Sequence, residues 1–302
     1  MDSLGKQLRT LKWRYLDNFG PTVAYRSAAP ALAGEAARAL AELSRNGIAV
    51  TSSRALFGSD SLYEELAAAV VESEQREEAR IAKARADAEN TESHKGYILN
   101  LLGDCPVLDP GDIHVRFALQ RPVLEIVNAY FGMYTRLRYY NVWHTFATRA
   151  PARDSQLWHR DPEDQYVLKM FVYLSDVDED AGPFIYAAGS HPKTTLHREP
   201  ASFHRKGDAR RSDDRQIAAV IPPDRWVQAT GGRGTIILAD TRGFHKGGLA
   251  RERDRIMYLC MFTSQASKCG DFFLRTASGS APPDKERAFA LGWRGSRRRA
   301  AT

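Results

Sequence analysis

Apolar and polar positions alternate in two different ways along this chain. Up to about residue 100 the apolar residues recur at helical spacing. Ala31–Arg45 is rich in Ala, Leu and Glu and stops at Asn46-Gly47. Ser61–Asn90 is a long Ala/Glu/Arg stretch whose polarity rises toward its end, so Glu74–Glu89 reads as a solvated helix or a mobile segment, not a binding surface. A Pro/Gly/Asp stretch, Cys105–Asp112, precedes a further helical piece, Pro122–Phe131. From Thr135 the texture changes. Arg136–Phe146, Gln165–Leu174, Gly234–Ala239 and Arg255–Phe262 are dense in β-branched and aromatic residues. Turns at Gly182-Pro183, Gly189, Pro222-Pro223 and Gly231-Gly232 punctuate them. Short strands with such turns predict a mainly β core, a barrel or double-sheet jelly roll.

Three regions follow from this pattern: a helical N-terminal annex over 1–134, a β core over 135–265, and a C-terminal extension over 266–302. Inside the core, Lys193–Arg215 is polar and charged, and a loop of that length reads as a lid over an active-site mouth.

Composition narrows the picture. Of the 302 residues, 43% are hydrophobic, enough for a sizeable core, which excludes wholesale disorder. No apolar run is long enough to span a bilayer, and Met1–Lys12 has no signal-like apolar stretch. No membrane partner is therefore expected. Cys105, Cys260 and Cys269 lack metal-type spacing, and a reducing, cytoplasmic setting is expected. Of the net charge of +6, four units are Arg294, Arg297, Arg298 and Arg299 in the tail. The body is nearly balanced, which argues against a nucleic-acid groove.

The chemistry concentrates in Gln156-Leu-Trp-His-Arg-Asp161. On extended backbone, residues i and i+2 share a face, so His159 and Asp161 can offer an imidazole and a carboxylate to one point. Alone, His-x-Asp occurs by chance in many sequences. Thr241–Gly248, after a strand, supplies a third ligand in His245. Two histidines and a carboxylate form the facial triad of iron(II) oxygenases. Arg255 opens an otherwise apolar strand, where a guanidinium calls for a specific anionic partner. Tyr139, Asn141 and Trp143 alternate on one strand face and read as pocket lining or core. Trp158 reads as wall. Lys169, a lone charge in an apolar strand, faces either an anion in the pocket or solvent. His191 reads as a turn residue.

These segments resemble the phytanoyl-CoA dioxygenase family of 2-oxoglutarate oxygenases. The resemblance covers roughly 135–265. It is carried by Leu157-Trp-His-Arg-Asp161, Leu168–Leu174, Ala181-Gly-Pro-Phe184, Ala188-Gly-Ser-His191, Gly243-Phe-His-Lys-Gly247 and Arg255. It implies a double-stranded β-helix, or cupin-like, core flanked by helices, with iron(II) on His159, Asp161 and His245 and the far carboxylate of 2-oxoglutarate on Arg255. Arg255 stands one residue nearer the distal histidine than in many relatives, with Arg251 and Arg253 as neighbours. Gly247 replaces a serine that helps hold the cosubstrate in several relatives. The implied reaction consumes O₂ and 2-oxoglutarate, releases succinate and CO₂, and hydroxylates a small-molecule or carrier-bound metabolite. Desaturation, epimerisation or cyclisation at the same site is the alternative. A non-catalytic metal-binding barrel is a reading of another class, and the intact triad with Arg255 argues against it. Halogenating relatives lack the carboxylate, so Asp161 favours oxygen chemistry.

Overall fold

The computed structural model describes residues 3–90, 96–194, 199–204, 210–275 and 284–293. Helix α1 (Ser3–Lys12) runs through a π-helical turn, Trp13–Asp17, and leads on to α2 (Phe19–Arg26). Helix α3 (Gly34–Asn46) buries Ala39 and Leu43 one turn apart. It ends at Gly47, whose left-handed φ of 81° suits only glycine; a Cβ there would also collide with the Tyr186 hydroxyl and the His191 ring. After β1 (Ile48–Ser52), the Ser52 side chain caps α4 (Ser53–Phe57) by accepting from the Ala55 amide. Helix α5 (Ser61–Arg76) buries Tyr63, Leu66, Ala67, Val70 and Ser73, a stripe at helical spacing. Helix α6 (Glu78–Asp87) buries no residue, as its polarity requires.

Two short strands, β2 (Ile98–Asn100) and β3 (Val107–Leu108), precede α7 (Ile113–Ala118) and α8 (Arg121–Phe131). The remaining strands are β4 (Arg136–Thr145), β5 (Leu168–Tyr173), β6 (Phe184–Ala187), β7 (Trp226–Ala229), β8 (Thr235–Asp240), β9 (His245–Gly247), β10 (Arg255–Thr263) and β11 (Leu274–Arg275). Two further short helices are α9 (Asp214–Ala218) and α10 (Lys285–Ala290). No described helix is long and apolar enough to cross a membrane.

The strands build a six-stranded antiparallel sheet, β1-β8-β5-β10-β4-β2, and a three-stranded antiparallel sheet, β7-β6-β9. The first hundred residues, expected to be mostly helical, thus supply both edge strands of the large sheet. The β-prone run Ile48-Ala-Val-Thr pairs with β8, and Ile98-Leu-Asn pairs with β4.

Alternation along the large sheet divides two cores. Tyr140, Val142, Leu168, Met170, Val172, Ile236, Leu238, Tyr258, Cys260 and Phe262 point outward and pack with the buried faces of α5, α7 and α8. Phe171, Tyr173, Ile237, Ala239, Met257 and Leu259 point inward and pack with Phe184 and Tyr186 of the small sheet. Both faces are covered, so these strands read as nearly unbroken apolar runs. A charged residue on the inward set must have a partner, and Lys169 and Arg255 both belong to it.

Candidate metal centre and active site

Strand register sets the site's layout. On the inward face, Arg255 pairs with Thr145, and Met257 lies between Trp143 and Tyr173. Leu259 lies between Asn141 and Phe171, and Met261 between Tyr139 and Lys169. At about 3.3 Å per residue, the Arg255 row and the Met261 row are about 20 Å apart.

The segment holding His159 and Asp161 is extended and lies against the chain around His245. His159 N–H donates to His245 O at 3.0 Å, and His245 N–H donates back at 3.1 Å. The Asp161 amide donates to Thr241 O at 2.9 Å. This register brings the expected i, i+2 pair together with the distal histidine, which opens β9. The ring centroids of His159 and His245 are 4.2 Å apart.

Tautomers follow from the hydrogen bonds. His159 Nδ1 lies 2.8 Å from Leu157 O, and His245 Nδ1 lies 3.1 Å from Gly243 O. A carbonyl only accepts, so both Nδ1 atoms carry the proton and both Nε2 lone pairs are free. Those Nε2 atoms face the Asp161 carboxylate at 3.9 and 3.7 Å. The three ligand atoms all lie within 4.8 Å of one another. Burial lowers both imidazole pKa values, with mutual repulsion adding to it at His159. At Asp161 burial acts upward, but Lys169 and the two histidines outweigh it and hold the carboxyl well below the ordinary range. Two neutral imidazoles and one carboxylate are the protonation states a divalent metal takes. Lys169 Nζ sits 2.6 Å from Asp161 Oδ2, so this lysine faces the site and not solvent.

Arg255 is buried, and burial pushes its pKa down. Its Nη2 reaches only Thr145 Oγ1, at 3.5 Å, while Nε and Nη1 have no partner. Among the described residues no carboxylate answers it. Its neighbours are satisfied elsewhere: Arg251 Nη1 donates to Thr148 O and Ala150 O, and Arg253 is exposed and ion-paired with Asp178. A narrow crevice joins Arg255 to His159, His245 and Lys169, walled by Phe171, Phe184 and Met257. Ser155 lines it too, its hydroxyl bonded to Tyr97 at 2.8 Å.

Adjoining the crevice, and sharing Trp143, Ser155, His159 and Lys169 with it, is a cavity of about 650 Å³. Its sheet wall is Tyr139, Trp143 and Met261, with Phe272 from the loop after β10. Trp143 Nε1 donates to Tyr139 Oη at 2.8 Å. The facing wall carries Arg160, Glu163, Arg211 and Arg242.

Residues 60–253, well over half of the chain, match the profile of the phytanoyl-CoA dioxygenase (PhyH) family. The chain belongs to that family. It is accordingly a 2-oxoglutarate-dependent non-haem iron oxygenase, with iron(II), 2-oxoglutarate and O₂ as cofactor and cosubstrates. No curated protein matches the sequence closely. Among solved structures, EctD from S. alaskensis with 2-oxoglutarate and 5-hydroxyectoine is similar, with a TM-score of 0.52 at 16% identity over 85% of this chain and 86% of that one. The non-heme alpha ketoglutarate dependent epimerase SnoN from nogalamycin biosynthesis has a TM-score of 0.47 at 17% identity, over 76% and 83%. At such identities the likeness is one of fold.

The remaining expected residues of this PhyH member fall into place physically. Tyr139 and Trp143 line the large cavity. Asn141, expected on the same face, binds the backbone instead: its amide donates to Gly103 O at 2.7 Å and its Oδ1 accepts from Leu102 N and Val142 N. Trp158 faces away from its ligand neighbour, as alternation dictates; it packs on Trp226 and donates to Asp214. His191 is bonded to Ser44 O at 3.1 Å, outside the triad. Within the expected lid, residues 195–198 and 205–209 lie outside the described residues. Phe203 and Arg211 from its described parts line the large cavity, and Ser212 bridges to Trp158. Ser155, Glu163, Arg211 and Arg242 were not anticipated. Glu163 continues the i, i+2 series from Asp161 and could have been found; Arg211 carries no local signal.

Proposed function

We propose that His159, Asp161 and His245 hold the iron(II), that Arg255 grips the far carboxylate of 2-oxoglutarate, and that the 650 Å³ cavity takes a small-molecule substrate for hydroxylation. The observation that carries this reading is the Arg255 guanidinium, buried with two nitrogens lacking partners at the end of a crevice that reaches the triad. An uncompensated buried charge costs several kcal/mol, so the fold is incomplete without an anion there. A dicarboxylate supplies that anion and still has a 2-oxoacid end to chelate metal. The donor set of two neutral imidazoles and one ionised carboxylate suits iron(II).

Bound iron supplies the oxidation itself: 2-oxoglutarate and O₂ yield succinate and CO₂, with one oxygen atom inserted into a substrate C–H bond. The chain's own groups position and protect. Arg255 offers a fork that matches a carboxylate. Ser155 lines the same crevice as Gly247 and supplies a hydroxyl group to its surroundings. Phe171, Phe184 and Met257 exclude water from the crevice. Lys169 holds one Asp161 oxygen and fixes the orientation of the carboxylate. Arg242 donates to Asp161 O at 2.7 Å and pins the same residue by its backbone. Tyr139 and Trp143 form a rigid, hydrogen-bonded wall against which a substrate can be placed.

The two antiparallel sheets, the pairing of the His159 segment with the distal-histidine segment, and the outer helices support a double-stranded β-helix core over 135–265. In this reading the annex over 1–134 lends that core two edge strands, the described parts of 193–215 form a lid, and the described parts of the C-terminal extension, 266–275 and 284–293, pack on the annex and core. The test is anaerobic loading with iron(II), measurement of 2-oxoglutarate binding, and succinate release across a panel of metabolites. Equal 2-oxoglutarate affinity in wild type and Arg255→Met would overturn the anchor.

A further inference from the structure

Eleven large hydrophobic side chains are strongly exposed among the described residues, and six of them fall within Leu8–Val23. They are Leu8 (58% exposed), Leu11 (52%), Tyr15 (38%), Leu16 (70%), Phe19 (61%) and Val23 (48%). Leu8 and Leu11 lie one turn apart on α1, Phe19 and Val23 one turn apart on α2, and Tyr15 and Leu16 are exposed on the π-helical turn between them, so the segment displays apolar side chains along its length. The other side is firmly held. Trp13 packs on Phe131 and Tyr166, and its indole donates to Asp164 Oδ1 at 2.8 Å. Gln165 donates to Thr10 at 3.2 Å, Asn18 accepts from the Ala266 amide at 2.9 Å, and Tyr25 meets Tyr134 edge-on. The apolar stripe is therefore displayed outward by a helix whose inner face is already packed.

Charge selects what covers it. Residues 3–26 contain Lys6, Arg9, Lys12, Arg14 and Arg26 against the single acid Asp17. Arg9, Lys12 and Arg26 are exposed beside the stripe. We infer that this helix docks on the surface of an anionic phospholipid bilayer. The apolar side chains enter the headgroup–acyl boundary, and the long basic side chains reach back to lipid phosphates. This contact is interfacial, and it revises the expectation of no membrane partner, which rested on the lack of a spanning segment. A second copy of the chain fits less well, because a two-fold contact would set the same cations against each other. Docking also has a consequence for the site. Trp13 is bonded to Asp164, three residues beyond Asp161, so the bound helix holds the Asp161–Gln165 loop and the adjoining cavity edge beside the lipid headgroups.

The experiment is co-sedimentation of the full chain with vesicles of mixed phosphatidylglycerol and phosphatidylcholine, against pure phosphatidylcholine, at low and high salt. Partition into the anionic vesicles is expected, weakened by salt and by pure phosphatidylcholine. Phe19→Glu and Leu16→Glu, both at exposed positions, should each reduce partition about tenfold or more while leaving circular dichroism and metal binding unchanged. Arg9→Glu should reduce partition into anionic vesicles only. Absence of binding to either vesicle, or equal binding to both, overturns the proposal. So does a dimer in light scattering that Phe19→Glu dissociates, since a second copy then covers the stripe.

Discussion

The two ends of the large sheet's inward face are built on the same strands, yet they differ in kind. At the Arg255 end the space is a narrow crevice with aromatic walls, whose Arg255 guanidinium meets no carboxylate among the described residues. At the Lys169–Tyr139–Met261 end it is a 650 Å³ cavity whose far wall comes from loops and carries several charges of both signs. A closed end with one orphan donor group accepts one ligand chemistry. An open end with mixed charges and loop walls admits many. This is the division expected of an enzyme family that keeps its cosubstrate and varies its substrate.

The largest expected effect removes what both ends share. His245→Ala should weaken iron binding by more than about 100-fold, since altering only the groups that orient a ligand already costs 10–100-fold. Succinate release should fall to background, with the apolar core and the fold intact by circular dichroism. Near-normal turnover in that variant would show that the two ends do not meet at this triad.

Next comes the closed end. Arg255→Lys keeps a charge and loses the fork, and losing a charge-assisted bond to a buried group costs about 1.5–3 kcal/mol. The KM for 2-oxoglutarate should rise about 10- to 150-fold, with the substrate KM little changed. A rise shared equally by both values would erase the distinction between the ends.

Tyr139→Phe probes the open end. It deletes the acceptor for Trp143 Nε1 and leaves the ring in place. Loss of a neutral hydrogen bond costs about 0.5–1.5 kcal/mol, so substrate KM or substrate preference should shift about 2- to 10-fold. The KM for 2-oxoglutarate should stay constant in the same assay. The smallest effect sharpens the register. Arg253→Ala removes only an exposed pair with Asp178, and every parameter should stay within about twofold of wild type.

Legibility in the sequence follows the same division. His159 and Asp161 could be set on one side because period-two alternation fixes side-chain direction locally; His245 was singled out by its place after a strand and by the family resemblance, and its meeting with the pair is a long-range contact. Arg255 stood out because a charge heading an apolar strand needs an explanation. Lys169 posed the same question but left its answer open, since alternation gives a face and not a partner; Asp161 as partner appears only when strand β5 meets the loop after Trp158. Asn141 shared its expected face with Tyr139 and Trp143, yet the loop at Leu102–Gly103 takes up its amide. Ile48–Ser52 shows the same limit at the level of the fold. Its β-prone residues are plain, but pairing with β8, far along the chain, decides that a helical region contributes an edge strand.

By itself, the sequence determined the helical and strand-rich halves, the His159/Asp161 pair on one side of an extended segment and the solitary arginine heading an apolar strand, because local spacing dictates which way a side chain points. Only the tertiary structure decided which of three nearby arginines is buried without an acidic partner among the described residues, which charges share the large cavity, and which side of the N-terminal helical segment stays uncovered. Those outcomes depend on contacts between segments remote in the chain, and no local pattern encodes them.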